Sequence, residues 1–161
     1  MEQKIVPNLW FDGQAEEAAN FYISVFKDGR ILSKAHYTED SPGEPGTVMV
    51  VEWELNGQRF VGINGGSQFK FDEAVSFQIS CEDQEEIDYY WDKLSEGGSE
   101  GPCGWLKDRY GLSWQVTPKG MDELFSGRDE ERANRAMKAM LKMSKLDIAE
   151  LRAAADGVPA A

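Results

Sequence analysis

The sequence predicts an α+β fold made of two βαβββ modules followed by a C-terminal helical extension. The order strand, helix, strand, strand, strand occurs roughly twice along the 161 residues, and a repeat of this kind outweighs any single motif. A helical periodicity follows the second copy. These observations divide the chain into a first module at residues 1–66, a linker at 67–73, a second module at 74–118 and the extension at 119–161.

The first module opens with a short apolar run and an amphipathic segment whose apolar residues recur at helical spacing. Its strongest signal is Asn56-Gly57 between two runs of β-branched and aromatic residues. That pair predicts a two-residue hairpin turn, because both central residues of such a turn need positive φ. The predicted elements are a strand over 5–11, a helix over 15–26, and strands over 31–37, 47–55 and 58–64.

The second module repeats this order in compressed form. We predict a strand over 75–81, a helix over 82–96, and short strands over 105–108 and 112–117. The pattern does not place the first hairpin strand of this copy. Apolar stripes over 121–155 predict a helical extension, which must bury its stripes on the sheet edge or on a second subunit.

Composition excludes several classes of function. The chain has 29 acidic and 17 basic residues, and its net charge of -12 argues against a nucleic-acid surface or an anionic membrane surface. One histidine and two cysteines exclude a His-rich or Cys-rich metal cluster. The first residues lack the apolar segment of a secretory signal, and two free thiols are typical of a reducing compartment. We therefore expect a cytoplasmic protein.

Alternation separates the two faces of each predicted strand. In the strand over 75–81, Ser76 and Gln78 share one face, and Gln115 and Thr117 share a face of the last strand. In the strand over 58–64, Val61 and Ile63 form the apolar face, opposite Phe60, Gly62 and Asn64. The apolar faces are expected to pack on the helices. The polar faces fit either a solvated outer surface or a semi-polar cavity between the two copies, and alternation leaves both possibilities open.

The repeated βαβββ order and the motifs that accompany it resemble the vicinal oxygen chelate superfamily, which includes glyoxalase I, extradiol dioxygenases and bleomycin-resistance proteins. Residues 15–26 are similar to its first-helix signature. Residues 75–80, 103–116 and 139–149 resemble the PhnB-like branch, which often carries the label 3-demethylubiquinone-9 3-methyltransferase. The resemblance implies a curved mixed sheet around a central cavity, helices outside it, and a homodimer.

The metal positions of that superfamily, carried over by alignment, hold poor ligands here. They fall near Pro7, near Gly62 (within about one residue), near Ser76 and at Gln115, whereas zinc or iron requires imidazole, thiolate or carboxylate. His36 lies outside these positions. The turn over 11–14 has one glycine, which does not match the Gly-rich loop of a typical methyl-donor site. We expect no metal and no other cofactor.

We predict that the cavity binds a small, polar and uncharged organic molecule. Cys103 is included in the pocket, although a packed, inert thiol is the favoured interpretation. The predicted pocket residues are Phe11, Asn64, Ser76, Gln78, Cys103, Trp105, Gln115 and Thr117.

Two alternatives to a metal-free binding protein stay open. One is a glyoxalase-type or dioxygenase-type enzyme, or a methyltransferase, and whether the chain is an enzyme at all is undecided at this level. The other is a dimeric scaffold whose C-terminal helices dock on the partner subunit.

Overall fold

The computed structural model describes residues 2–158 and confirms the α+β fold. Met1 and residues 159–161, which belong to the predicted first module and extension, lie outside the described residues. The chain forms two compact units, the first reaching Phe71 and the second starting at Asp72. Each unit contains one four-stranded mixed sheet. No helix within residues 2–158 combines the length and the apolar character that crossing a membrane requires.

The first unit is a complete βαβββ module. Its sheet has the order β1-β4-β3-β2, with β1 parallel to β4 and the other neighbours antiparallel. Asn56 and Gly57 have φ values of 48° and 77°, as the predicted hairpin turn requires. The elements are β1 (Asn8–Phe11), α1 (Ala15–Phe26), β2 (Arg30–His36), β3 (Val48–Leu55) and β4 (Gln58–Asn64).

Helix α1 packs on one face of this sheet. Trp53 is fully buried there, and its ring stacks on Tyr22 of α1 at 6.2 Å and on Phe60 at 5.7 Å. A Cβ atom added at Gly62 would lie 3.0 Å from both the Ala15 side chain and the Trp53 ring. Glycine at this position therefore allows α1 to approach the sheet closely.

The face covered by α1 is the reverse of the one that alternation suggested for β4. Gly62 and Phe60 face α1, and Gly62 pairs with Leu9, which is buried on the same side. Phe11 pairs with Asn64 on that face as well. Periodicity divides a strand into two faces but does not state which face the helix covers, and both faces of β4 contain apolar residues.

Most of the segment predicted as a linker folds back on the first unit. Phe69 contacts Trp10 with the ring centroids 4.9 Å apart, and Phe71 contacts Phe11 at 5.4 Å, both edge to face. The Trp10 indole also donates a hydrogen bond of 2.9 Å to the Gly66 carbonyl.

The second unit repeats the topology, and three of its four strands are shorter than their counterparts in the first. Its sheet order is β5-β8-β7-β6, with β5 parallel to β8. The strand that the sequence did not place is the two-residue β6. The elements of the module are β5 (Ser76–Cys81), α2 (Gln84–Ser95), β6 (Ser99–Glu100), β7 (Trp105–Lys107) and β8 (Ser113–Pro118).

Acidic residues cluster at positions 82–88, where α2 begins. The Asp83 carboxylate accepts a hydrogen bond of 2.9 Å from the Glu86 backbone N–H, which is the geometry of a helix N-cap. Glu85 and Glu86 occupy the first turn, where negative charge interacts favourably with the helix dipole. The cluster thus has the structural role of stabilising the start of the helix.

The extension forms three helices and packs on the second unit of the same chain. Gln84 of α2 donates 3.0 Å to the Leu146 carbonyl and accepts 2.9 Å from the Ile148 N–H, and Leu146 and Leu151 are buried. Of the two places that the sequence left open for these apolar stripes, Leu146 and Leu151 are buried against the second unit of the same chain. The helices are α3 (Met121–Ser126), α4 (Glu130–Met140) and α5 (Ile148–Ala155).

Candidate functional site

Polar side chains occupy the face of the second sheet that α2 does not cover. Ser76 pairs with Ser113, Gln78 with Gln115 and Ser80 with Thr117 across the parallel strands β5 and β8, and paired residues point to the same side. The apolar partners Phe77 and Trp114 lie on the other side, with their rings 5.7 Å apart. The alternation predicted for these two strands is correct in this unit.

Hydrogen bonds join the amides and hydroxyls of this face across the strands. The Gln115 amide donates to Ser76 Oγ at 2.9 Å, and the Gln78 amide donates to Thr117 Oγ1 at 3.0 Å. Thr117 Oγ1 in turn donates to the Ile79 carbonyl at 3.1 Å. These four side chains therefore hold one another in place, which fixes the polar surface without help from a ligand.

Strand β7 extends the same face. Trp105 lies opposite Gln115 and Lys107 lies opposite Ser113, so both side chains are on the polar side of the sheet. The sequence alone left the side of Trp105 undetermined. In the structure its half-buried indole gives this surface an apolar, planar component.

A pocket of about 560 Å³ opens beside β6 and β7. It brings together two of the predicted residues, Cys103 and Trp105, with several that the sequence analysis did not select. The alternation of β7 and β8 was the signal that could have found Lys107 and Ser113, because each lies two residues from a selected residue. The lining consists of Glu73, Ser99, Glu100, Gly101, Pro102, Cys103, Trp105, Leu106, Lys107 and Ser113.

Ser113 has an unsatisfied hydroxyl in this pocket. Its side chain is buried, with a relative exposure of 1%, and within residues 2–158 its Oγ and Trp53 Nε1 are the buried side-chain polar atoms without a hydrogen-bond partner. Burying a hydroxyl without a partner costs free energy, and such groups are rare in folded proteins. Ser113 therefore has both a donor and an acceptor available to a bound group.

The charge of Lys107 is balanced by Glu73. Lys107 Nζ forms an ion pair with the Glu73 carboxylate, and the two side chains are 40% and 61% exposed. The hydrogen bond from Lys107 is the main reason that the pKa of Glu73 lies below its usual value. The pocket therefore contains an ion-paired ammonium group next to Ser113.

Glu100 lines the pocket but directs its carboxylate to the other side of the sheet. It pairs with Leu106, which faces α2, and Glu100 Oε1 accepts a hydrogen bond of 3.0 Å from the Trp91 indole. Glu100 thus connects the edge strand to α2.

Cys103 lies in a loop that the extension holds. Its φ of 57° is in the left-handed region, and its backbone N–H donates 2.8 Å to the Met143 carbonyl. Its thiol lies 3.5 Å from the Met140 carbonyl, which suits a protonated donor. The other thiol, Cys81, is buried beneath α2, and burial together with nearby carboxylates raises its pKa to about 12.

The predicted residues Phe11 and Asn64 lie in the first unit, on the face that α1 covers. Asn64 Oδ1 accepts 2.9 Å from the Ala15 N–H, and its amide donates 3.0 Å to the Val48 carbonyl. Asn64 therefore satisfies one of the free N–H groups at the start of α1 and ties that helix to β3.

The superfamily's metal positions fall on residues without the usual ligand chemistry. Ser76 and Gln115 lie on the polar face of the second sheet and are bonded to each other, whereas Gly62 faces α1. Val61, the residue before Gly62, lies on the opposite face of the first sheet, beside Asn8, the residue after Pro7. Within residues 2–158, no group of three His, Cys, Asp or Glu side chains is placed to hold a metal ion.

His36 lies at the end of β2, outside the polar face. It is exposed and lines a separate depression of about 830 Å³ in the first unit, together with Glu16 and Tyr37. The Tyr37 hydroxyl donates a short hydrogen bond to the Asn64 carbonyl, which fixes the loop after β2.

Comparison with known proteins agrees with the geometry of the two units. The family model described as 3-demethylubiquinone-9 3-methyltransferase matches residues 3–117, which span both sheets. The chain belongs to this PhnB-like family. No curated protein matches it.

Solved structures share the fold of this PhnB-like chain. A PhnB protein from Bacillus cereus, provisionally described as 3-demethylubiquinone-9 3-methyltransferase, is 41% identical, with a TM-score of 0.65 over 72% of this chain and 99% of that one. Protein PA1353 from Pseudomonas aeruginosa is 20% identical, with a TM-score of 0.61 over 73% and 98%. The fosfomycin resistance protein FosX from Listeria monocytogenes, complexed with Mn(II) and sulfate, is 16% identical, with a TM-score of 0.51 over 72% and 91%. The last two similarities concern the fold alone.

Proposed function

We propose that this PhnB-like protein binds a small organic molecule on the polar face of its second sheet, without a metal centre. A planar part of the ligand lies against Trp105 and a polar group reaches Ser113. The observation that carries the proposal is the buried, unpartnered Ser113 hydroxyl beside a pocket of about 560 Å³. Mostly apolar pockets with a few placed polar groups are the usual form of small-molecule sites.

Rigid surroundings support this proposal. The amide and hydroxyl groups of Gln78, Gln115, Ser76 and Thr117 already bond to one another, so they neither compete for Ser113 nor need to rearrange. A preformed site lowers the ordering cost of binding. Cys103, held in its loop by the extension, forms part of the pocket wall and has no chemical role in this proposal.

The test uses 2-phenylacetamide as a neutral probe with one ring and one polar group. Saturation-transfer NMR on the full chain should detect binding, and W105A should weaken it by about tenfold through loss of ring contact. F69A is the matched control, because Phe69 is 63% exposed and belongs to the first unit. Unchanged binding in W105A, or an equal loss in F69A, would contradict the site.

Elemental analysis examines the metal-free part of the proposal. Protein purified at neutral pH should contain no stoichiometric transition metal, because the polar face offers hydroxyl and amide groups in place of imidazole and carboxylate. One retained equivalent of metal would favour the alternative of a glyoxalase-type or dioxygenase-type enzyme.

The family name favours a second candidate, a methyltransferase. Calorimetric titration with S-adenosylmethionine distinguishes the two. A methyltransferase should bind this donor at a defined site, whereas the binding protein proposed here should give no saturable heat.

We propose further that the protein is a homodimer, as the resemblance implies, and that it is cytoplasmic, as its two free cysteines suggest. Sedimentation equilibrium should give a mass near twice that of the 18.1 kDa chain. A truncation after Pro118 should still form dimers if the extension serves only its own unit, provided that circular dichroism shows the truncated chain to be folded.

A further inference from the structure

We propose that the site selects a ligand carboxylate, and that Glu73 occupies the place of this carboxylate until the ligand arrives. This inference rests on the proposed function and names its ligand class, an aromatic or similarly planar carboxylic acid. It replaces the uncharged ligand that the sequence suggested.

The donors for a carboxylate stand in one row. Ser99, Lys107 and Ser113 are directly opposite one another on β6, β7 and β8, so their side chains share a face at the spacing of neighbouring strands. An ammonium and two hydroxyls are hydrogen-bond donors, and a carboxylate is an acceptor at both oxygens. The row therefore matches a carboxylate better than it matches an ammonium or a neutral amine.

Two features of this row point to an incoming acceptor. Ser113 has no hydrogen-bond partner although it is buried. Lys107, its direct neighbour, already holds a carboxylate, but that group belongs to a side chain 61% exposed in the turn before β5. The ion pair with Glu73 thus shows that Lys107 can donate to a carboxylate, while the Ser113 hydroxyl has no hydrogen-bond partner.

Exchange of Glu73 for a ligand is favourable on physical grounds. Exposed ion pairs contribute little, because water competes with both partners. A ligand carboxylate seated between Lys107 and Ser113 gains a charge-assisted bond and satisfies the buried hydroxyl.

Trp105 sets the shape of the acid. It precedes Lys107 by two residues on the same strand and faces the same side, roughly 7 Å along the sheet. A ring resting on the indole with a carboxylate one or two bonds away spans this distance.

The experiment compares phenylacetate with 2-phenylacetamide, two probes of nearly equal shape that differ in charge. Dissociation constants are measured by NMR titration of the full chain at low salt. The wild-type protein should bind phenylacetate more tightly, and E73Q should tighten phenylacetate by about three- to fivefold while leaving the amide unchanged. K107M should weaken phenylacetate by about tenfold or more, and K107R should retain most of the affinity.

E82Q is the matched control. Glu82 forms an exposed ion pair with Lys119 at 2.8 Å in the same unit, away from the pocket. Removing this carboxylate changes the net charge by the same amount as E73Q, so an equal gain in both variants would show a general charge effect and overturn the proposal.

The remaining outcomes separate this inference from the proposed function. If the amide binds through Trp105 but phenylacetate shows no preference and no response to E73Q or K107M, the carboxylate site is wrong and the binding site stands. If neither probe binds, both are wrong. Raising the salt concentration should reduce the preference for phenylacetate if Lys107 carries it.

Discussion

The two units have the same topology but differ in the face of the sheet that their helices do not cover. In the first sheet the register pairs Asn8 with Val61 and Trp10 with Ile63. In the second sheet the corresponding pairs are Ser76 with Ser113 and Gln78 with Gln115. The uncovered face is mixed in the first unit, where Glu52 lies beside Val61 and forms an ion pair with Arg59. In the second unit it is polar along β5 and β8, and the candidate site lies there.

The units also differ in how their hairpins close. Asn56 and Gly57 form the tight turn of the first unit with positive φ values, and its backbone also bonds to the exposed side chains of Asp28 and Gln3. In the second unit the buried Asp108 carboxylate accepts hydrogen bonds from the N–H groups of Tyr110 and Leu112 and from the Trp114 indole, at 2.8, 3.1 and 2.9 Å. The second turn thus depends on one side chain.

Loss of that side chain should have the largest effect. D108A removes the shared acceptor of three hydrogen bonds, of which those from the Leu112 N–H and the Trp114 indole are buried, and should lower the free energy of unfolding by about 3–4 kcal/mol. Urea denaturation measures the change. N56A should cost only about 1 kcal/mol, because it affects local backbone preference alone. Equal losses would contradict the difference between the turns.

A smaller loss is expected from filling the close approach in the first unit. G62A places a methyl group 3.0 Å from the Ala15 and Trp53 side chains and should destabilise the protein by about 2 kcal/mol through overpacking. Urea denaturation is again the measurement. On the helix-covered face of the second sheet, β8 carries the large, buried Trp114. A neutral G62A would show that α1 can move away at little cost.

Q84A examines how the second unit depends on its extension. Gln84 bonds to the Leu146 carbonyl, to the Ile148 N–H and to Asp88, so its removal should cost about 1–2 kcal/mol. Hydrogen exchange should rise over residues 146–155 and stay unchanged in α1. A uniform rise in both units would mean that Gln84 acts on global stability instead.

The smallest effect concerns the two thiols. Iodoacetamide at pH 8 should modify Cys103 and spare Cys81, whose pKa is raised to about 12, and mass spectrometry locates the adduct. The folded pKa of Cys81 exceeds its ordinary value of 9.0, so the protonated thiol binds its proton more strongly when folded. The stability from Cys81 is thus complete below about pH 9 and declines as pH rises towards 12. C81A should remove this part of the fall in the free energy of unfolding at alkaline pH. An unchanged fall would contradict the contribution of Cys81.

Much of the fold could be predicted from periodicity and turn chemistry. The helix over 15–26 matches α1 because alanines and aromatic residues recur at helical spacing, and Asn56-Gly57 places its hairpin correctly. Strand β6 was not predicted, because Ser99–Glu100 is two residues long and has no alternation to detect. The sequence did not predict which face of the sheet carries Trp105, because β7 has only three residues.

The candidate site was predicted in part. Alternation grouped Ser76, Gln78, Gln115 and Thr117 correctly on one face, since each lies in a regular strand of six residues. It did not show that Phe11 and Asn64 lie beneath α1, because both faces of β4 contain apolar residues. Glu73 was missed because it lies in a turn and pairs with a strand residue 34 positions away, which no local pattern encodes. Lys107 was missed although alternation with Trp105 places it on the same face.

By itself the sequence determined the two modules, the helical extension, the family resemblance and the lack of His and Glu at the superfamily's metal positions, because these depend on residue identity and short-range spacing. The tertiary structure decided which sheet face each helix covers, that the extension docks on its own unit, and that Ser113 is buried without a partner next to an ion-paired lysine. These properties arise from contacts between residues distant in sequence, whose free energies depend on burial and on the partners that folding brings within hydrogen-bond distance.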